Sequence, residues 1–521
     1  MSKQNEQQQF FKGAFLLTYA GLFGKVLSAI YRIPLQNLTG DVGFYIYQQI
    51  YPFIGASMVL ALYGFPAAIS RIIARQSNQN NQQLRKRILA YLMICSGSVF
   101  ILIYMLAPQL ARLMSDIGLI PAIRVSAFSF LLVPFVSYFR GLFQGENNMI
   151  PTAISQMVEQ VIRVSLIIVT AYLIVKLNRS LYDVGFGTAI ATIIGSLLSL
   201  MSLMLFYARR ERTYSNNAQI EQVTNKNLFK EVIGYGLAIA INHMVLLLLQ
   251  FVDVFTLVPL LRKTGISLFD AQVLKGVLDR GQPLAQFGIV AASSLALALI
   301  PSVTKLRLKN DRKRFTSYVA STWRFTLYLA SGATVGLIVL FPEVNTLLFK
   351  VDLGSISLRI FSVTIIFSAL SISTASILQG LGYIYQTALF VIVGMIAKLI
   401  LNLMLIPMWG IKGGALATVL SSLIILLLNV YYLKRHTNEL DRIVVPWFKL
   451  VTALSIMGVV VYSLNLLGKA QFYQFSRFGQ FIYLVCMIVI GVTTYILSLK
   501  KFAVFTKEEQ EVLPLKFIKK G

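Results

Sequence analysis

Acidic residues are scarce in this chain. Only 20 Asp and Glu stand against 47 Lys and Arg in 521 residues, and there are two histidines and two cysteines. Cys95 and Cys486 both fall inside long apolar runs, so neither a disulfide framework nor a thiolate metal site is expected, and no metal ligand set is assigned. No Gly-x-x-x-x-Gly-Lys-Ser/Thr motif occurs, so the chain itself is not expected to hydrolyse ATP. Asp-x-Asp and a long external loop are missing too, which argues against a membrane glycosyltransferase, and the protein is expected not to be an enzyme. Charged residues make up only 13 % of the chain, against about 25 % in ordinary soluble proteins.

What fills the space is hydrocarbon. Hydrophobic residues reach 57 % and the mean hydropathy is +0.72. Apolar runs able to cross about 30 Å of bilayer recur along the whole length, about fourteen in all. The start, Met1 to Gln9, is polar, and the first run carries Lys25 and Arg32, so no cleavable signal is expected. The expected fold class is therefore an all-α integral membrane protein.

A net charge of +27 invites a nucleic-acid reading, but its placement argues against one. With the N-terminus inside, about 29 Lys and Arg fall in inside segments and about 9 in outside loops, the bias of the positive-inside rule. Both termini are thus expected in the cytoplasm of a multi-pass bacterial plasma-membrane protein. Blocks such as Arg85-Lys86-Arg87 and Arg312-Lys313-Arg314 read as topology signals and contacts to anionic lipids. No nucleic-acid partner is expected.

The chain also repeats. Pro66-Ala67-Ala68-Ile69-Ser70 and Pro301-Ser302-Val303-Thr304 lie 235 positions apart, and the same offset pairs Gln144-Gly145 with Gln379-Gly380 and Arg163 with Lys398. Weak internal symmetry in so apolar a chain marks transporters that place substrate between related halves. The reading is a six-helix lobe with its cytoplasmic linker over 1–225, a second six-helix lobe over 226–440, and two further helices with a basic tail over 441–521. The two lobes are expected to surround a central cavity.

Basic residues inside the runs locate candidate function, because each costs roughly 2.5–3.5 kcal/mol at a helix centre. Arg124, Lys275 and Arg359 lie near predicted outer ends, where long side chains snorkel to the headgroups. Lys25, Arg163, Arg280 and Lys398 sit near mid-span. Thr18, Lys25, Ser28 and Arg32 share one face of the first helix. The seventh carries Asn242, His243, Gln250 and Asp253 within one arc; the eighth carries Gln272, Asp279 and Gln286 at spacings of seven, with Arg280 beside them. These stripes describe a polar cavity of mainly positive mid-depth charge. Two readings follow: the cations bind the phosphates of an anionic substrate, or Asp253 and Asp279 pair with Lys25 and Arg280 as structural ion pairs. His243 reads either as a satisfied interior residue or as a proton relay. Glu159 and Arg163, four apart, read as an internal pair. Gly21, Gly24 and Pro283 are candidate hinges.

Gly24-Lys25-Val26-Leu27-Ser28, Leu278-Asp279-Arg280 and Leu297-Ala298-Leu299-Ile300-Pro301-Ser302 together resemble the MurJ-type lipid II flippases. The Gram-positive branch that includes stage V sporulation protein B relatives is the most similar, within the multidrug/oligosaccharidyl-lipid/polysaccharide exporter superfamily. The resemblance implies a flippase that moves an undecaprenyl-pyrophosphate-linked cell-wall precursor outward by alternating access. It implies that Lys25, Arg32 and Arg280 serve the pyrophosphate and that Asp41 matches an acidic residue after the first helix. One departure stands out: no basic residue lies between Asp41 and Arg71, where the family has an arginine. The alternatives are a flippase for another lipid-linked oligosaccharide, such as a capsule or teichoic precursor, and a drug exporter of the same superfamily. No cofactor is expected, and sodium coupling, proton coupling and membrane potential all remain compatible with the residues.

Overall fold

The computed structural model describes residues 3–75, 82–209, 225–308, 312–436 and 445–505, with side chains over 16–17, 19–75, 82–209, 227–294, 319–436 and 445–505. The Thr18 side chain, most of the linker between the repeats, and the side chains of Arg312-Lys313-Arg314 and of 297–302 lie outside the described residues. All regular structure among the described residues is helical. Among the described residues, twelve helical segments are long and apolar enough to cross a membrane, and the first, Tyr19–Arg75, spans 57 residues. The protein is an all-α membrane protein.

Two compact units form. The first comprises Met1–Asp279 with Ile384–Met395; the second comprises Arg280–Tyr383 with Ile396–Gly521. The first begins with α1 (Lys3–Ile30), α2 (Arg32–Val59), a π-helical turn at Leu60–Gly64, and α3 (Phe65–Arg75). Gly40 interrupts α2 at φ 69° and ψ −173°. Positive φ is open to glycine at little steric cost, so the chain reverses there. The reversal shows in the packing. Arg32 lies 4.4 Å from the Tyr51 ring centre, although nineteen residues of straight helix would separate them by about 28 Å at 1.5 Å per residue. Tyr31, Leu35, Phe44 and Tyr47 share one buried cluster, and the Tyr31 and Tyr47 hydroxyls bond each other.

Four long helices and two short ones follow: α4 (Gln82–Leu113), α5 (Ile120–Ala127), α6 (Ser129–Gly145), α7 (Ile150–Lys176), α8 (Tyr182–Ala208) and α9 (Asn225–Phe229). A second π turn, Lys230–Tyr235, leads into α10 (Gly236–His243), α11 (Val245–Lys263) and α12 (Leu268–Asp279). The compact unit therefore runs past the repeat boundary at 225 to Asp279. Close backbone approach accounts for this. A Cβ on Gly64 would fall 2.7 Å from the Gly236 carbonyl oxygen, and one on Gly276 would overlap the Asp41 carbonyl.

The second unit holds α13 (Gly281–Leu308), α14 (Arg312–Phe349), α15 (Ser355–Ser362), α16 (Thr364–Gly380), most of α17 (Ile384–Trp409), α18 (Ile411–His436), α19 (Trp447–Gln474) and α20 (Arg477–Lys501). One buried core of this unit joins Leu327, Tyr328 and Leu340 of α14 to Met457 and Val461 of α19 and Met487 and Tyr495 of α20. The two helices without a repeat counterpart are thus packed on α14.

Candidate functional site

In the first unit, Lys25 sits on α1 half-buried, beside Gly24, whose backbone lies against Gln156 and Gln160 of α7. Among the described residues Lys25 makes no hydrogen bond and no ion pair. Its charge reaches the imidazole of His243 at the end of α10. That ring stacks on Tyr63 with 4.3 Å between centroids and 11° between planes. Lys25, Tyr63 and His243 therefore come together from α1, the first π turn and α10.

Arg32 is 3 % exposed and lies over Tyr51 and Tyr47, with no hydrogen-bond partner for its Nε among the described residues. Asp279 lies within electrostatic reach of Lys275, Asp253 and Arg32, so two cations and two carboxylates gather around the end of α12. The Lys275 ammonium contacts both Asp279 oxygens, at 2.6 and 2.5 Å. This corrects two expectations. Lys275 does not snorkel, being fully buried, and the partner of Asp279 is one helical turn away. An i, i+4 pair satisfies a buried carboxylate without leaving its helix.

Of the other stripe residues, Ser28 donates to Gln160, and Gln250 and Asp253 are buried. Among the described residues, Gln250 Nε2 and both polar side-chain atoms of the buried Gln48 lack hydrogen-bond partners. Asn242 donates to the carbonyls of Ala238 and Ile384, which ties α10 to the start of α17. Asp41 accepts from Gln36 at 3.0 Å. Gly21 lies in ordinary contact distance of the Tyr63 hydroxyl.

In the second unit, Arg280 is fully buried, donates to Asn345 Oδ1 at 3.4 Å and lies 5.3 Å from the Phe349 ring centre. Asn345 in turn donates to the Leu353 carbonyl and to Ser355. Gln286 is half-buried on α13. Pro283 does not kink a continuous helix. The helix breaks at Arg280, and Pro283 occupies the first turn of α13, where its missing N–H leaves no bond unmade.

The expected Glu159–Arg163 pair is not formed. Glu159 bonds Arg140 at 2.8 Å and accepts from Ser196, while Arg140 also donates to Ser155 and Ser199. Arg163 turns instead to Gln160, Ser28 and the Met58 sulfur. Arg140 lies within α6, which runs to Gly145, and is buried. Lys398 is buried against the Gly414 carbonyl and Thr418. Two further groupings escaped the sequence. Asp116 accepts from Tyr45, Tyr182, Gln272 and the Gly118 amide. Arg71 and Arg75 meet Glu231.

The model of the polysaccharide biosynthesis protein family matches residues 10–307, more than half the chain. The protein belongs to that family. A relative from Bacillus subtilis (strain 168), the uncharacterized membrane protein YabM, is 36 % identical over 96 % of this chain and 94 % of its own. The lipid II flippase MurJ of the same organism is 27 % identical over 93 % and 94 %. Among solved structures, lipid II flippase MurJ in its inward closed conformation superposes with a TM-score of 0.69 at 15 % identity, covering 94 % of this chain and 98 % of that one. This member of the polysaccharide biosynthesis family thus has the fold of that structure.

Proposed function

We propose that the protein is a flippase that carries an undecaprenyl-pyrophosphate-linked cell-wall precursor, of the lipid II kind, from the inner to the outer leaflet of the bacterial plasma membrane. One observation carries the reading. Lys25 holds a cation inside the unit with no carboxylate bound to it among the described residues, and His243 beside it brings further N–H capacity. A half-buried charge near the middle of a membrane span is costly unless a ligand supplies a counter-charge. An anionic headgroup does so. Arg32 and Arg280 are the further cations proposed to serve the phosphates, and Arg32 shares its surroundings with Asp253 and Asp279. A drug exporter for cations would favour uncompensated carboxylates instead.

The family match and the likeness to MurJ support transport of a lipid-linked saccharide. The missing basic residue between Asp41 and Arg71 favours the second reading, a related undecaprenyl-linked glycan of capsule or teichoic type. The protein acts without catalysing a covalent reaction, by alternating access, with both termini in the cytoplasm. Outward movement of an anion from an inside-negative cell gains about 2.3 kcal/mol per charge per 100 mV, so membrane potential can drive the step.

The test is depletion in cells with leaflet-resolved measurement of lipid II. Accumulation in the inner leaflet, restored by wild type and Lys25→Arg but not by Lys25→Gln at equal membrane level, is the expected result. Unchanged lipid II with an inner-leaflet rise of another undecaprenyl-linked glycan would establish the second reading. No change in any such lipid would overturn both.

A further inference from the structure

Arg71 and Arg75, one turn apart at the end of α3, converge on a single carboxylate oxygen of Glu231 in the second π turn. Arg75 lies 2.8 Å and Arg71 3.6 Å from Glu231 Oε1. The Arg71 guanidinium lies 4.8 Å from the Tyr235 ring centre, and Tyr235 meets Tyr385 edge-on with centroids 6.5 Å apart. Both arginine side chains are about half exposed, at 45 % and 57 %, whereas Glu231 is 22 % exposed. Two guanidinium forks share one carboxylate, which leaves the cluster one positive charge in excess and most of its N–H donors unused by Glu231. Aromatic faces restrict Arg71 on one side, so its donors are directed before any ligand arrives.

We propose that Arg71 and Arg75 form the first anion-binding station on the transport path, held closed by Glu231. The Glu231 carboxylate occupies the place that diphosphate oxygens take when α3 and the π turn part. The exchange is chemically matched, because guanidinium forks bind carboxylate and phosphate by the same paired N–H contacts, and a diphosphate offers more acceptors than one carboxyl. Glu231 thereby acts as an internal competitor that keeps the station shut until a diphosphate displaces it. The proposal rests on the functional reading above, including a cytoplasmic position for this end of the unit.

The experiment uses the full-length protein purified in detergent, with radiolabelled farnesyl diphosphate as the probe and inorganic pyrophosphate as competitor. Glu231→Gln removes the competing charge and should tighten probe binding at least fivefold. Adding Arg71→Gln and Arg75→Gln to Glu231→Gln should abolish that gain. Glu231→Asp keeps the charge but withdraws the carboxylate by one methylene; it should give a smaller gain and serves where Glu231→Gln does not purify as a monodisperse protein. A folded Glu231→Gln protein with unchanged or weaker binding overturns the station. So does a gain that survives loss of both arginines, since the carboxylate then only blocks access to a deeper site. Absence of binding to wild type and every variant would instead remove the diphosphate reading itself, and the station with it.

Discussion

Lys275 Nζ lies 2.5 Å from Asp279 Oδ2, one turn along α12, with both side chains inside the protein. The pair stands next to the break at Arg280 and close to Arg32 and Asp253, so it neutralises a carboxylate at the point where the eighth pass divides. Removing the ammonium alone strands Asp279. Breaking a buried pair from one side costs about 3–5 kcal/mol, whereas exchanging both partners for apolar residues is often neutral. Lys275→Met should therefore lower the melting temperature and the yield of monodisperse protein, and Lys275→Met with Asp279→Leu should recover most of both. A single variant as stable as wild type would contradict the assigned pair.

The same logic separates the two arginines near Glu159. Arg140 bonds the carboxylate directly, and Arg163 bonds Gln160 and Ser28. A double-mutant cycle of Arg140→Gln with Glu159→Gln should show a coupling of about 2 kcal/mol or more in thermal stability, with the Arg163→Gln and Glu159→Gln cycle well below it. Equal couplings would restore the pairing suggested by sequence spacing.

Spacing served some parts of this protein well and failed at others for identifiable reasons. Helix placement was legible because apolar runs longer than a bilayer have few other uses. Polar stripes at helical period named Lys25 and His243 separately, without reporting that the two side chains approach each other. Partner choice was not legible. Glu159 has Arg163 one turn away, yet the side chain that reaches it comes from α6, and no one-dimensional pattern reports a contact between helices. Lys275 was misread because distance from a span end says nothing about whether a side chain faces lipid or protein. The division at Asp279 was also invisible, since it depends on close backbone approach at Gly64 and Gly276 rather than on the repeat.

Gly276 offers a direct check of that approach. A Cβ there would overlap the Asp41 carbonyl, which is backbone and cannot swing aside. Gly276→Ala should destabilise the protein by about 1–3 kcal/mol through overpacking, despite the gain in helix propensity. Gly97 in α4 has nothing within 4 Å of its added Cβ, so Gly97→Ala should be neutral or stabilising by less than about 1 kcal/mol. Similar melting temperatures for the two variants would mean that α12 does not pack on the Asp41 turn as described.

Orientation in the membrane follows from charge and can be tested where the chain turns. The reversal at Gly40 is flanked by few basic residues, and the turn between α19 and α20 is flanked by Lys469 near the end of α19 and Arg477 at the start of α20, whereas the segment from Arg71 to Arg87 holds five. The positive-inside rule then puts Gly40 and Lys469 outside and Asn80 inside. In a background with Cys95→Ser and Cys486→Ser, single cysteines Leu38→Cys and Lys469→Cys should react with a membrane-impermeant thiol reagent in intact cells. Asn80→Cys and Asn216→Cys should react only after permeabilisation. Both members of each pair must agree, because connections separated by an even number of passes share a side. Labelling of Asn80→Cys and Asn216→Cys in intact cells, with protection of the other two, would invert the chain, place the Arg71–Glu231 cluster at the outer face, and turn the proposed entry station into an exit.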